Sequence, residues 1–188
     1  MEELADTLPT FQHLSPFLGH NVAIVAGLAG GGGGESVSST DACTSVGLNV
    51  PPFTEETRSK LKAILPPAGC ILRNPLDMGG VGGILEILEK TLEIVVADPR
   101  IDLVIVNEHL DQLATFLPRE RLEAMNDIFS RFGGIKPLVV VSPPGSASAE
   151  RMAVERKLSD ARATVYPSLD RAGKAIANMN WYHRFHRR

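Results

Sequence analysis

Asn21-Val-Ala-Ile-Val-Ala-Gly27, followed by the glycine-rich segment 28–34, is the stretch that decides the fold. Residues 22–26 are all apolar and three of them are β-branched, which predicts a short strand buried on both faces. A glycine-rich loop follows the strand, and apolar residues at helical spacing over 35–46 predict a helix after the loop. A strand, a loop and a helix in this order indicate an α/β fold.

The same order recurs along the rest of the chain. Further strands are predicted at 48–50, 70–73, 101–106, 138–141 and 163–166, and helices at 55–65, 84–95, 119–132, 148–159 and from 169 onward. Repeated βαβ units of this kind predict a parallel sheet. Right-handed crossovers then place every β-to-α loop at one edge of the sheet, which is where open α/β sheets bind ligands.

Composition excludes several classes of function. The net charge of −3 provides no basic field for nucleic acid phosphates, and aromatic residues, at 5%, are too few for base-stacking platforms. The sequence contains no signal peptide and no apolar run long enough to cross a bilayer, which predicts a cytoplasmic protein. Cys43 and Cys70 have no metal-ligand spacing and are expected to pack as small apolar side chains.

The first glycine-rich loop contains Gly30, Gly31, Gly32 and Gly33. Glycines adopt positive φ and expose bare backbone amides, so the loop suits phosphate, carboxylate or the backbone of another chain. The spacing lacks both the dinucleotide-binding fingerprint and a P-loop lysine. A flexible turn without any ligand is the alternative.

A second loop, 74–83, precedes the helix with the strongest apolar periodicity. Asn74 and Asp77 flank a proline, and Gly79 and Gly80 begin the approach to the helix. The backbone amides here predict an anion site at the helix N-terminus. In the alternative interpretation, Asp77 only caps the helix and the glycines relieve crowding.

Two further groups of polar residues need an interpretation. Glu108 and His109 follow the strand at 101–106, so they could supply acid–base or nucleophilic chemistry at the same edge. A solvated loop histidine is the commoner arrangement.

The basic tail 183–188 is predicted to be a solvated helix end, with a docking point or a link to a further domain as the alternatives.

These segments together resemble a known family. The string runs from NVAIVAG (21–27) through PPFTEETRSKLKAILPPA (51–68) and NPLDMGG (74–80) to ADPRIDLVIV (97–106) and KPLVVV (136–141). In this order the segments resemble the ligase-CoA domain of the NDP-forming acyl-CoA synthetases, which is related to the C-terminal domain of the succinyl-CoA synthetase β subunit.

The resemblance implies a flavodoxin-like, doubly wound, five-stranded parallel sheet over residues 21–182, after a lead-in at 1–20. It also implies a reaction in which acid, CoA and ATP give acyl-CoA, ADP and phosphate through a phosphohistidine. This domain would help to form the phosphate or carboxylate end of that site, at Asn74, Asp77, Gly79 and Gly80. CoA and Mg-ATP would bind to CoA-binding and ATP-grasp partner domains, and this domain alone would bind no cofactor and no metal.

The chain also departs from the family pattern. The first loop is a plain glycine string without the usual Asn, Ser and Pro, and neither His109 nor His20 lies in a phosphohistidine loop. The expected role is therefore that of a domain or subunit that is inactive alone. A non-catalytic binding or regulatory module with the same fold is the alternative, and a small flavin oxidoreductase is a weaker third.

Overall fold

A six-stranded sheet runs through the computed structural model, which describes residues 2–14, 19–27, 33–109, 118–144, 148–160 and 163–186. The strands are β1 (Val22–Ala26), β2 (Ile71–Leu72), β3 (Leu76–Asp77), β4 (Leu103–Asn107), β5 (Leu138–Val141) and β6 (Thr164–Tyr166). Their order is β2-β3-β1-β4-β5-β6, and all pairs are parallel except β2–β3. The α/β fold and its parallel sheet are confirmed.

Helices cover both faces of the sheet, as the doubly wound fold requires. They are α1 (Glu2–His13), α2 (Gly33–Ser45), α3 (Glu55–Ile64), α4 (Leu85–Val96), α5 (Arg119–Gly133), α6 (Ser148–Asp160) and α7 (Leu169–His186). Alternate residues of β1 point into two separate cores. Ala23 and Val25 pack with α3 to α6, whereas Val22 and Ile24 pack with α2 and α7. No helix among the described residues is both long and apolar enough to cross a bilayer.

The expected count of five strands is wrong by one, and two strand positions differ. Residues 48–50 form only a single bridge, between Asn49 and Asn21, because Pro51 and Pro52 offer no N–H to extend a ladder. The segment 70–73 supplies β2, an antiparallel edge strand, while β3 lies at 76–77 in the stretch predicted to be a loop.

The lead-in segment also contains a helix that the sequence pattern did not indicate. Much of the contact between α1 and α7 is polar: the Arg171 guanidinium makes two hydrogen bonds of 2.6 Å to the Asp6 carboxylate, and Asn178 donates to Glu3. Pro9 lies inside α1. Because these packed residues are polar, they lack the apolar spacing that predicts a helix against a core. At the other end of the chain, α7 continues through His186, so residues 183–186 of the predicted tail are helical.

One side chain completes the hydrogen bonding of β1. β3 pairs only with Val25 and Ala26, and the bridge at Asn49 reaches no further than Val22 N, which leaves Val22 O and Ile24 N of a fully buried strand without a strand partner on that side. The Asn74 side chain lies there: its Oδ1 accepts from Ile24 N at 2.9 Å, and its Nδ2 donates to Val22 O at 2.7 Å and to Pro51 O at 2.9 Å. Asn74 therefore takes the place of a missing strand.

We expect Asn74→Ala to lower the free energy of unfolding by about 3 kcal/mol, because it leaves one N–H and two carbonyls without partners. Urea denaturation measures the loss. Asn49→Ala is the matched control, since Asn49 is exposed and its amide makes only a 3.3 Å bond to Asn21, so its effect should stay within about 0.5 kcal/mol. Equal effects in the two variants would contradict the strand-replacing role.

Asp98 joins the start of α3 to the turn before β4. Its carboxylate is 1% exposed and accepts from Thr54 N, Thr54 Oγ1 and Arg100 N at 2.9, 3.2 and 2.9 Å. Burial alone would raise the pKa of Asp98, but the hydrogen bonds from Thr54, Arg100 and Thr57 outweigh burial and hold the pKa below its ordinary value. Thr54 is also the N-cap of α3, as its sequence position predicts.

The lowered pKa of Asp98 predicts a pH-dependent stability. The folded state takes up the proton less readily than the unfolded chain, so the stabilisation is complete above the ordinary carboxyl pKa and is lost as the pH falls, between about pH 5 and pH 2. Asp98→Asn should be less stable than the wild type at pH 7 by about 2 kcal/mol, and the difference should shrink across that range. Thermal unfolding at several pH values tests this, with the exposed Asp41→Asn as the control. A difference that stays constant with pH would rule out this role of the carboxylate.

Candidate functional site

The carboxyl ends of the parallel strands lie in one row. Ala26 of β1 pairs with Asp77 of β3 and with Asn107 of β4, and Asn107 pairs with Val141 of β5. β1 stands where the order of connections reverses: the chain passes from β1 to β3 on one side and returns to β4 on the other. Crevices at such switch points are the usual ligand sites of open α/β sheets.

Four buried polar side chains lie in this row or directly after it. Asp77 is 6% exposed, Asn107 4%, Glu108 3% and Ser142 0%. The backbone ladder continues past the strand ends, since Glu108 N donates to Val141 O and Ser142 N to Tyr166 O, both at 2.8 Å. The edge is therefore polar and rigidly hydrogen-bonded.

The loop after β3 is tied to the end of β1. Met78 N donates to Ala26 O at 2.9 Å, and Gly80 N donates to Gly27 O at 2.7 Å. Gly79 N donates to Asp77 Oδ1 at 2.9 Å, so the carboxylate closes a tight turn two residues long rather than capping α4. The start of the first glycine-rich loop and the second loop thus form one unit.

This junction leaves no room for a side chain on Gly27. A Cβ there would lie 2.3 Å from Asp77 Oδ1 and 2.8 Å from Met78 N, and the residue has φ +85°. Gly79 is equally confined: it has φ +59°, and a Cβ would lie 2.1 Å from Gly69 O. Both positions require glycine for space as well as for backbone conformation.

Of the glycine amides that the sequence places at the anion, those of Gly79 and Gly80 are used within the chain. Gly79 N and Gly80 N have acceptors within the chain, and Val81 N donates to Met78 O. After them come a short 3₁₀ helix (Val81–Gly83) and then α4, whose N-cap, Ile84, offers no side-chain cap. In the described part of the chain no acceptor outside the helices binds three of the backbone amides in this segment, which belong to Gly82, Leu85 and Glu86.

Asn74 does not take part in this arrangement. Both of its amide hydrogens are bound by carbonyls, and its contacts lie at the amino end of β1, away from the carboxyl edge. Asn74 therefore positions the sheet, and the prediction that it binds an anion directly is replaced by a supporting role. The physical reason is that the short β3 leaves buried backbone groups for which the amide is the available partner.

Glu108 and His109 lie directly after β4, at the expected edge. Glu108 is buried and His109 is half-buried, and the backbone N–H of His109 donates to Glu108 Oε1 at 3.0 Å. The segment 30–32 of the first glycine-rich loop lies outside the described residues, and Gly33 is the first residue of α2.

The thiol beside this edge is not an activated nucleophile. Burial raises the pKa of Cys70, and the negative charge of the neighbouring Asp77 raises it further. The protonated Sγ lies 3.3 Å from Met78 O, to which it donates. Cys43 is fully buried, and burial raises its pKa to about 11. No three His, Cys, Asp or Glu side chains of the described residues are grouped closely enough to hold a metal ion.

Sequence reasoning gave no role to Asn107 or to Ser142. Each is a polar residue at the end of an apolar strand, after Val106 and Val141 respectively. That position is the signal that could have identified them, because residues at the carboxyl ends of adjacent parallel strands must meet at one edge.

We expect Gly27→Ala to be far more damaging than Gly47→Ala. Gly47 also has positive φ, at +81°, but no atom lies within 4 Å of the place that a Cβ would occupy, so that substitution isolates the conformational cost of about 1 kcal/mol. Gly27→Ala adds the clash with Asp77 and Met78, for a total of about 3 kcal/mol. Urea denaturation of the two variants measures both. Similar losses of stability in the two variants would show that the backbone around Gly27 shifts to admit a side chain at little cost.

Comparison with known proteins gives both a family and a fold. The sequence pattern of the ligase-CoA domain family matches residues 22–186. A search of curated proteins found no match. Among solved structures, a protein from Pyrococcus horikoshii OT3 superposes with a TM-score of 0.79 and is 21% identical, over 98% of this chain and 40% of its own.

The dinucleotide-forming acetyl-coenzyme A synthetase 1 of Ca. Korarchaeum cryptofilum is also similar. Its apo form has a TM-score of 0.72, and its complex with phosphate and ADP has a TM-score of 0.71. Each is 21% identical, and the match covers 98% of this chain but only 38% and 37% of theirs. This chain therefore spans about two fifths of the length of the solved structures it matches, and at this identity the likeness establishes the shared fold.

Proposed function

The chain belongs to the ligase-CoA domain family, and from that membership we propose that it works as one domain or subunit of an NDP-forming acyl-CoA synthetase. The whole enzyme would convert acid, CoA and ATP to acyl-CoA, ADP and phosphate. This domain would hold the negatively charged phosphate or carboxylate group at the phosphohistidine-dependent site. The open amides of Gly82, Leu85 and Glu86 are the observation that supports this role most strongly.

The amides suit an anion for two physical reasons. The N-terminus of a helix carries a partial positive charge, and α4 is 12 residues long, so its dipole is fully developed. Unpaired N–H groups at the same place donate hydrogen bonds without any side chain that must be ordered first. Gly82 carries no Cβ, so no side chain of its own stands between its amide and an oxyanion.

The buried carboxylates would keep the anion at the helix tip. Asp77 closes the Gly79 turn, and Glu108 accepts from its neighbouring amide at the end of β4. Negative charge at both strand ends disfavours an anion over the sheet itself, so the start of α4 is the favourable position. Glu108 and His109 are proposed as further contributors at the same edge.

The rest of the reaction would belong to partner domains. The solved structures that share the fold have chains more than twice as long as this one, and one of them binds phosphate and ADP. We propose that CoA, Mg-ATP and the phosphohistidine are held by CoA-binding and ATP-grasp partners, and that the chain alone forms no thioester. The proposed compartment is the cytoplasm.

A non-catalytic binding or regulatory module is a second proposal with its own observation. The glycine string at 30–34 lacks the Asn, Ser and Pro that the resemblance leads one to expect. Such a module would keep the sheet and the Asn74 contacts without binding phosphate at α4.

Phosphate titration followed by amide chemical shifts distinguishes the two proposals. We expect inorganic phosphate to shift the amide resonances of Gly82, Leu85 and Glu86 in the isolated chain. Glu86→Gln removes an exposed carboxylate from the first turn of α4, so it should tighten phosphate binding by about threefold. Glu93→Gln, which changes an exposed carboxylate at the other end of the same helix, is the matched control and should leave the affinity unchanged.

Absent shifts at these amides would favour the non-catalytic module. Equal responses of the Glu86 and Glu93 variants would show that phosphate binds elsewhere. Adding CoA-binding and ATP-grasp subunits then tests the reaction itself: thioester should form only in the mixture, and its absence from every mixture would overturn the synthetase role.

A further inference from the structure

α1 and α7 together expose an apolar surface on the outside of the molecule. On α1, Leu4, Leu8 and Phe11 recur at steps of four and three residues and so share one side of the helix. Leu4 and Leu8 are 62% and 60% exposed, and on α7 Trp181 and Phe185 are 67% and 65% exposed. We call Leu4, Leu8, Phe11, Trp181, Tyr182 and Phe185 the helix-pair patch.

Ring contacts join the aromatic residues of the patch, because the His186 ring lies 4.1 Å from the Tyr182 ring and 5.5 Å from the Phe185 ring. The Phe11 ring meets the Tyr182 ring edge-on, with centroids 5.1 Å apart, and lies 5.6 Å from the His183 ring. Trp181 stacks on Phe185 with centroids 5.8 Å apart. Aromatic residues held in fixed positions at the surface are typical of protein–protein interfaces, because they bury a large area at a small cost in conformational entropy.

Charge is distributed unequally along the patch. Contacts between the helices follow the same order in both, from Asp6 with Arg171, through Thr7 with Asn178, to Phe11 with Tyr182. Both helices therefore begin at the same end of the patch. That end carries the acidic first turn of α1, with Glu2 and Glu3. The opposite end carries the basic last turn of α7, with His183, Arg184 and His186.

We propose that the helix-pair patch is the interface of a homodimer with two-fold symmetry. A second copy turned by 180° about the middle of the patch places its basic end on the acidic end of the first copy. The apolar residues of the two helix-pair patches then cover each other. Such an isologous contact is self-complementary, and two-fold dimers are the commonest oligomers. An acidic end and a basic end on the same patch are what pairing with a second copy of this chain requires.

The interface would leave the α4 anion site open. The end of α7 lies at the amino edge of the sheet, since Asn180 Nδ2 donates at 2.8 Å to Gly19 O, just before β1. The open amides of Gly82 and Leu85 follow β3, at the carboxyl edge. The dimer and the synthetase role are therefore independent, and the failure of either would not affect the other.

Sedimentation equilibrium of the full chain tests the dimer. The wild type should have twice the chain mass of 20.3 kDa. The double variant Trp181→Ser/Phe185→Ser should weaken the dimer at least about tenfold, because it removes the largest exposed rings of the patch. Ile135→Ser is the matched control: Ile135 is 66% exposed but lies outside the patch, so the dimer should be unchanged.

Charge reversal supplies a second test that does not depend on the apolar residues. Glu2→Lys and Arg184→Glu should each weaken the dimer about threefold at low salt, and combining them in one chain should restore it. A monomeric wild type would overturn the proposal. So would a dimer that survives the double aromatic substitution, an equal loss in the Ile135 variant, or a charge swap without recovery.

Discussion

The hydrogen bonds that the Asn74 side chain makes to β1 are the interaction on which the rest of the structure depends. β1 is buried on both faces and stands at the switch point of the sheet, yet β3 covers only its last two residues. One amide supplies the missing partners for Ile24 N and Val22 O. Without it, buried backbone groups would be unpaired in the strand that leads into the first glycine-rich loop and anchors the second, and such groups are costly.

From this fixed strand the geometry of the candidate site follows by backbone contacts. Ala26 and Gly27 bind the amides of Met78 and Gly80, so the loop after β3 is held against β1 before any ligand is present. The amides nearest β1, those of Met78 and Gly80, already donate hydrogen bonds in this contact. Those of Gly82, Leu85 and Glu86 stay open at the start of α4, so the part of the loop that anchors and the part that could bind an anion are separate.

How far the sequence predicts this site can be judged residue by residue. Asp77, Gly79, Glu108 and His109 are at the predicted edge, because alternating strands and helices with right-handed crossovers must bring these loops together. The role of Asn74 could not be predicted, since it depends on β3 being too short to cover β1. The use of Gly79 N and Gly80 N within the chain depends likewise on the distance between two loops that are far apart in sequence.

The sequence by itself determined the α/β class, the buried strands and the family. These depend on local apolar runs, glycines and an ordered string of segments, each of which is complete within a few residues. Only the tertiary structure decided that α1 is a helix, that 76–77 is a strand and that Asn74 is a backbone partner. Each of these follows from contacts with distant segments, such as Asp6 with Arg171, which no local pattern contains.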